Sequence, residues 1–569
     1  MFYRPFEVSS SAGRQIRRQR LRRARPVMAL AAVAFTAGLI AGATHSSSPF
    51  SHKLASHFVA AWARGDYAAI YADIDPAARR GVSASAFAAA YAHASSTATT
   101  TRVEVTGKPR EEPQAPGSLL VPVRVHTALF GTLSETFTLP LIGHGANTRI
   151  VWSRALLFPA LRPGEQLTRT TTLPPRATLL ARDGSILASD SGTTATLERA
   201  LDSRLRGTAG GELYAGQRLL ARARPRAAPA VHTTISPALQ RSAVLALGAR
   251  YGGIVAIEPA SGAILALAGI GLEELQPPGS TFKMITLTAA LEAGVAKSST
   301  VFPYATYATL DGVKLSNANG EDCGGSLALA FAVSCNSVFA PLGVKVGAAR
   351  LVATAERFGF NHDSGVAGAP RSTIPPATQI QGELDVGSTA IGQGEVQATA
   401  LQMATVAATI ADHGRRPQPT FTLEGVHTPV HGVRVMSASV ARTVRRLMIG
   451  VVREGTGTSA AISGVTVAGK TGTAELGMPS SCKSSSEAGS GEGDLAGSGR
   501  QAGAGEEVAE GCAANDPHNT DAWFAAFAPA LHPRIVVGVL LPRDGAGGDT
   551  AAPVAREVLE AGLHTSASD

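Results

Sequence analysis

Three short motifs supply the residue types that acyl chemistry on a serine requires. Ser280-Thr281-Phe282-Lys283 follows Pro277-Pro278-Gly279. Pro and Gly punctuate a helix start, and the apolar run after Lys283 predicts that the chain continues as helix. Ser280 then sits in the first turn, where the positive helix end favours an alkoxide-like oxygen. Lys283 lies on the same face, one turn deeper. A buried, neutral Lys takes the proton from Ser, whereas Arg stays protonated. Only 8 of the 51 basic residues are Lys, so a Lys at this place is informative. By itself the Ser-x-x-Lys pattern is weak. Ser480-Ser481-Cys482-Lys483 matches it too, and an ordinary helix cap accounts for an isolated Ser280.

The second motif, Ser334-Cys335-Asn336, lies 54 residues on, inside a predicted helix over 327–342. Ser334 there is suited to relaying a proton to a leaving group, and the Asn336 amide to holding a substrate carbonyl. A helix-surface Ser and Asn is the plainer explanation for these two alone. The third, Lys470-Thr471-Gly472-Thr473, falls in a predicted strand over 466–474. Lys470 offers a positive charge for a carboxylate. Thr471 and Thr473 alternate with Gly472, so both hydroxyls are expected to face one cleft. Gly472 is expected to leave room for an acyl chain along the strand. The backbone N–H groups of Ser280 and Thr473 would make an oxyanion hole. The three patterns together, in this order, are the signatures of penicillin-binding proteins and serine β-lactamases.

The elements that must position these motifs follow from composition. At 569 residues, with 44% hydrophobic and 17% charged residues, the chain is too long for one core and too apolar for disorder. About three folded units are expected. Residues 48–158 read as helices over 51–71 and 84–95 followed by strands over 101–106, 119–129 and 134–142, a small α+β domain. Residues 159–235 are rich in Arg, Pro, Thr and Gly and read as a short β-rich linker module, with a turn at Arg182-Asp183-Gly184-Ser185. Residues 236–569 form the largest unit. Pro259-Ala260-Ser261-Gly262 joins two strands, long Ala-rich helices fill the middle, and strands return at 466–474, 522–528 and 535–541 before a last helix over 552–561. Residues 476–517 are Ser, Gly, Ala and Glu with few large apolar side chains, a low-complexity insertion.

The formal charge of +8 is concentrated. Residues 1–26 hold eight Arg and one Glu, which leaves about +1 for all the rest. No dispersed basic face is indicated, so nucleic acid is not an expected partner. The basic arm runs into 27–43, seventeen residues without a charge. That is the short end for a membrane span. Arg-rich flanks stay cytoplasmic, so a single-pass anchor with the bulk of the chain outside the cytoplasmic membrane is expected. A cleaved signal peptide is the alternative, since Ala41-Gly42-Ala43 has the small-x-small form of a cleavage site.

The chain resembles the class B penicillin-binding proteins, monofunctional D,D-transpeptidases of bacterial cell-wall synthesis, over most of residues 50–569. The likeness rests on Pro277-Pro278-Gly279-Ser280-Thr281-Phe282-Lys283, on Val231-His232-Thr233-Thr234-Ile235 with Leu239-Gln240, on Gly392-Gln393-Gly394-Glu395 and Leu401-Gln402-Met403-Ala404, and on 467–475. Residues 48–158 look like the nuclear-transport-factor-like domain of one subgroup. The resemblance implies a multidomain α+β chain: anchor, nuclear-transport-factor-like domain, linker/dimerisation module, and a β-lactamase/transpeptidase-like domain of antiparallel sheet flanked by helices. It implies peptidoglycan stem peptides as substrates, covalent binding of β-lactams and no cofactor. With no glycosyltransferase region in view, glycan polymerisation is expected to need a partner enzyme.

The linker departs from the family pattern: Arg176-Ala177-Thr178-Leu179-Leu180-Ala181-Arg182-Asp183-Gly184 keeps only part of it. A β-lactamase needs a deacylating base, and Glu383-Leu384-Asp385 does not match the usual Glu-x-x-x-Asn setting. A D,D-carboxypeptidase and a catalytically idle β-lactam-binding scaffold remain as alternatives. Strands flanking the insertion are neighbours in the family sheet, so Cys482 and Cys512 are expected to form a disulfide across it. Cys323 and Cys335 either form a second bridge or leave Cys335 as a small buried residue. No metal site is expected; Cys482, Cys512 and His518 have no recognised zinc spacing.

Overall fold

The computed structural model describes residues 49–187, 193–427, 432–476 and 519–565. The anchor segment 27–43 and the pair Cys482 and Cys512 lie outside the described residues. Among the described residues no single helix is long and apolar enough to cross a membrane. The chain divides into two compact units, one of residues up to Pro175 with Gly207–Ala227, the other of Arg176–Arg206 with Ala228–Asp569.

The first unit opens with helices Pro49–Arg64, Tyr67–Asp73, Pro76–Gly81 and Ala84–Thr97. The single helix expected over 51–71 is broken at Gly65, which has φ 71°. Asp66 then caps the next helix by accepting from the Ala69 N–H. The helices pack on an antiparallel sheet ordered Thr100–Val105, Ser118–Thr127, Gly131–Ile142, Arg149–Ile150. Leu119, Val121, Val123 and Val125 alternate into a core with Phe58, Trp62, Phe87, Tyr91 and Phe137.

The stretch 159–235 is not one linker module. Its strands Leu167–Thr172, Gly210–Ala215 and Arg218–Ala223 form a three-stranded sheet within the first unit. The segment between them belongs to the second unit: helices Thr193–Ala200 and Asp202–Leu205 bury Leu197 and Leu205 in its core. Two small helices with one apolar anchor each carry too weak a period to be read in an Arg- and Thr-rich stretch.

In the second unit a five-stranded antiparallel sheet runs in the order Ile264–Gly269, Gly253–Ile257, Ile535–Leu541, Thr520–Ala528, Ala468–Glu475. Both faces are covered, so its strands read as apolar runs. Ile254, Ala256, Phe524 and Val539 pack with helices Pro237–Leu247 and Ala551–Thr565. Val255, Ile257, Trp523 and Phe527 face a helical core built on Lys283–Glu292, Ala400–Ala411 and Ala438–Glu454. The helix Ala400–Ala411 is buried on every side, as a helix apolar all round should be. Strand Ala468–Glu475 is the sheet edge on the side of the motifs, and Leu476 N–H donates to Asn519 O where the insertion leaves and returns.

Candidate active site

Ser280 lies in a single 3-10 turn, Gly279–Phe282, that runs directly into helix Lys283–Glu292. Gly279 makes the entry possible. Its φ is 49°, and a Cβ there would lie 2.8 Å from Thr473 O. The Gly279 N–H donates to Gly392 O, which ties the turn to the Gly392–Gly394 bend. Thr281 Oγ1 donates back to Pro278 O and closes the turn. Ser280 is half-buried, and among the described residues its hydroxyl makes no hydrogen bond.

Lys283 is 0% exposed. Its Nζ donates to Ser334 O at 2.6 Å and to Asn336 Oδ1 at 2.7 Å, with Ser334 Oγ at 3.3 Å. Burial holds this amine well below its ordinary pKa, and the neighbouring Lys470 charge pushes the same way. A neutral amine has two N–H donors and one lone pair. Ser334 O and Asn336 Oδ1 take the donors, which leaves the lone pair to accept a proton. Lys470 is also 0% exposed, and burial pushes its amine down to about 7. Its Nζ donates to Ser334 Oγ at 2.9 Å and to Thr471 O at 3.0 Å. Among the described residues neither lysine pairs with a carboxylate, and each lies 5.6 Å from an aromatic ring, Lys283 at Phe339 and Lys470 at Phe331. All three motifs therefore converge on the Ser334 hydroxyl.

Several expectations are corrected here. Residues 327–342 are not one helix. Leu327–Ala332 ends, Ser334 takes φ 62°, and a new helix Asn336–Val346 begins. The left-handed backbone turns the Ser334 carbonyl onto Lys283, and local strain at such residues is a mark of functional positions. Cys335, the cap of the second helix, is joined to Cys323 by a disulfide with Cα atoms 5.9 Å apart. The bridge ties the residue next to Ser334 to strand Cys323–Ser326. Asn336 does not present a free amide: Oδ1 accepts from Lys283 while Nδ2 donates to Ser316 O at 2.8 Å. One Nδ2 proton is left over for a ligand.

At Gly472 the side-chain direction is filled by the chain itself. A Cβ there would meet Pro278 O at 2.8 Å and Thr281 Cγ2 at 3.0 Å. Its role is close approach of the strand to the serine turn. The two threonine hydroxyls differ as well. Thr471 is buried and shares a 2.5 Å hydrogen bond with Thr456. Thr473 is half-buried, and its Oγ1 accepts from the Gly547 N–H at 3.3 Å. Ser316, Thr456 and Gly547 carried no sequence signal, because they act through position alone.

The serine turn, two desolvated amines, a hydroxyl between them and the edge strand beside them define a serine acyl-transfer site. Residues 252–494 match the penicillin binding protein transpeptidase domain, and residues 51–165 match the NTF2-like N-terminal transpeptidase domain. The chain belongs to the class B penicillin-binding proteins, in the subgroup with that N-terminal domain. It is 33% identical over 440 residues, 64% of this chain and 79% of the relative, to the peptidoglycan D,D-transpeptidase PbpA of Mycolicibacterium smegmatis. The PbpA of Mycobacterium tuberculosis is 32% identical over 398 residues, 58% of this chain and 72% of the relative. The crystal structure of that tuberculosis protein superposes with a TM-score of 0.52 at 28% identity, covering 68% of this chain and 99% of the other. Its penicillin G acyl-enzyme complex gives 0.51 at 27% identity, with 68% and 99% covered.

Proposed function

We propose that the chain is a peptidoglycan D,D-transpeptidase that cross-links stem peptides through an acyl-enzyme on Ser280. The observation that carries the reading is the pair of buried amines meeting at one hydroxyl beside the serine turn. Lys283 accepts the Ser280 proton as Oγ attacks the D-Ala-D-Ala carbonyl. The oxyanion is held by the N–H groups of Ser280 and Thr473, the latter on an edge strand. Ser334 passes a proton to the departing amine of D-Ala, with Lys470 as its neighbour in the relay. The Oγ–acyl bond forms and the peptide C–N bond breaks. A second stem peptide's amine then displaces Ser280, which takes its proton back. Thr473, the more accessible of the two threonines, binds the terminal carboxylate. β-Lactams acylate the same serine, because they mimic the terminal dipeptide.

Carboxypeptidase action, with water in place of the amine, is the second reading. Incubating the purified protein with donor and acceptor stem peptides separates the two. Cross-linked dimer plus free D-Ala is expected, and both products should vanish in Ser280→Ala. Trimmed monomer alone would overturn transpeptidation.

The reading extends to topology: the uncharged run 27–43 after an Arg-rich arm supports a single-pass anchor in the cytoplasmic membrane with the folded units outside, a compartment compatible with the Cys323–Cys335 disulfide. Alkaline phosphatase fused after residue 60 should be active, since that enzyme matures only in an oxidising exterior. An inactive fusion of normal abundance would reject this topology.

A further inference from the structure

Asp521 is buried on strand Thr520–Ala528 and touches none of the groups described above. It is 0% exposed. One carboxylate oxygen, Oδ1, accepts from the Arg543 N–H at 3.0 Å, and the other, Oδ2, is buried with no hydrogen-bond partner among the described residues. Burial pushes this carboxyl up to about 6, and the charge of Glu274 adds to the effect, while the Arg543 N–H and guanidinium oppose it. A carboxylate held this way weakens the fold, and an apolar residue would fill the place more favourably. Among the described residues its hydrogen-bond partner is the Arg543 N–H. Arg543 takes φ 56°, a left-handed backbone that a long side chain adopts only when held.

From Arg543 the chain crosses the end of the sheet. Gly547 lies flat against the motif strand: a Cβ on it would sit 2.2 Å from both Gly472 O and Trp523 O. Gly548 is equally tight, 2.2 Å from Thr456 O. The Gly547 N–H donates to Thr473 Oγ1. A hydroxyl that accepts from a fixed backbone N–H keeps its own proton for a third group. We infer that Asp521 is a positioning residue for substrate binding: it clamps the 542–550 loop through Arg543 N–H, and the loop turns the Thr473 hydroxyl proton toward the substrate's terminal carboxylate. This rests on the reading of Thr473 given above and adds to it the group that sets its orientation. Register pairs Asp521 with Ala474 and Ala522 with Thr473, so the two side chains leave opposite faces of the sheet, and the 542–550 loop, bonded to both, is what links them.

The test compares acylation of the full chain by a depsipeptide or thioester mimic with a free terminal carboxylate and by its methyl ester. Asp521→Ala should slow the carboxylate form about tenfold, the size of one hydrogen bond to a charged group, and leave the ester rate unchanged. Asp521→Asn, whose amide oxygen still accepts from Arg543 N–H, should restore the wild-type rate. In a Thr473→Val background Asp521→Ala should have no further effect on the carboxylate form. Should Asp521→Ala fail to fold by circular dichroism, Asp521→Ser, too short to reach Arg543, serves the same comparison. Equal slowing of both substrates, no slowing of either, or additive losses with Thr473→Val would overturn the inference. A wild-type protein that neither mimic acylates would instead reject the parent reading of the site.

Discussion

Lys283→Arg should acylate with penicillin about 10²- to 10⁴-fold more slowly than the wild type, the contribution expected of a positioned general base. The guanidinium keeps a cation at this place and keeps donors for Ser334 O and Asn336 Oδ1, yet it has no lone pair to offer at neutral pH. Lys283→Met should lose as much, because it removes the base and leaves Asn336 Oδ1 without its donor. Stopped-flow acylation with a fluorescent penicillin measures both, with circular dichroism to check the fold. An Arg variant within a few-fold of wild type would show that Lys283 only fills space and that the proton leaves Ser280 by another route.

The stability of the protein should rise steeply between pH 7.5 and about 9.5, and two lysines should account for the slope. The Lys470 amine has a folded value of about 7 against an ordinary 10.5. Through the interval between those values the unfolded chain binds a proton that the folded chain does not. Stability therefore grows as pH rises, is fully present above the unfolded value, and is lost as pH falls toward about 7. One such proton gives about 1.4 kcal/mol per pH unit. Lys283, held well below its ordinary value chiefly by burial, changes stability in the same direction. Urea unfolding of wild type and Lys470→Met at several pH values isolates the effect. The variant's slope should be shallower by about 1.4 kcal/mol per pH unit, while its acylation is lost. Parallel slopes would mean that Lys470 is solvated and charged in the folded protein. The same burial that costs stability at neutral pH keeps both amines ready to exchange protons, a trade seen where pKa values are tuned for catalysis.

What the sequence made legible was the chemistry carried by residue type: a serine three positions before a lysine, a serine two before an asparagine, a lysine at the head of Thr471-Gly472-Thr473. Local patterning also placed the helix after Ser280 and the edge strand, because apolar periodicity and Pro/Gly punctuation were strong there. What it hid depended on backbone conformation. Nothing in 327–342 marks Ser334 as left-handed, since the tertiary bonds from Lys283 and the Cys323–Cys335 bridge impose that break on an otherwise helical run. Gly472 reads as space for a ligand along the strand, and the sequence does not show that its side-chain direction is taken by the chain's own serine turn. Asn336 reads as holding a substrate carbonyl; the sequence does not show that its oxygen also holds Lys283, which leaves one Nδ2 proton for that task. The weakly apolar segment 159–235 gave no sign that it is shared between two units, because its two short helices bury one leucine apiece.

The claim that everything else depends on is that Ser280 is the nucleophile. Treating the purified protein with penicillin, digesting it and sequencing the adducted peptide by mass spectrometry tests this directly. One penicilloyl group should appear on the peptide carrying Ser280, and none on any peptide of Ser280→Ala. An adduct on Ser334, or on Ser480 in the second Ser-x-x-Lys match, would contradict the account.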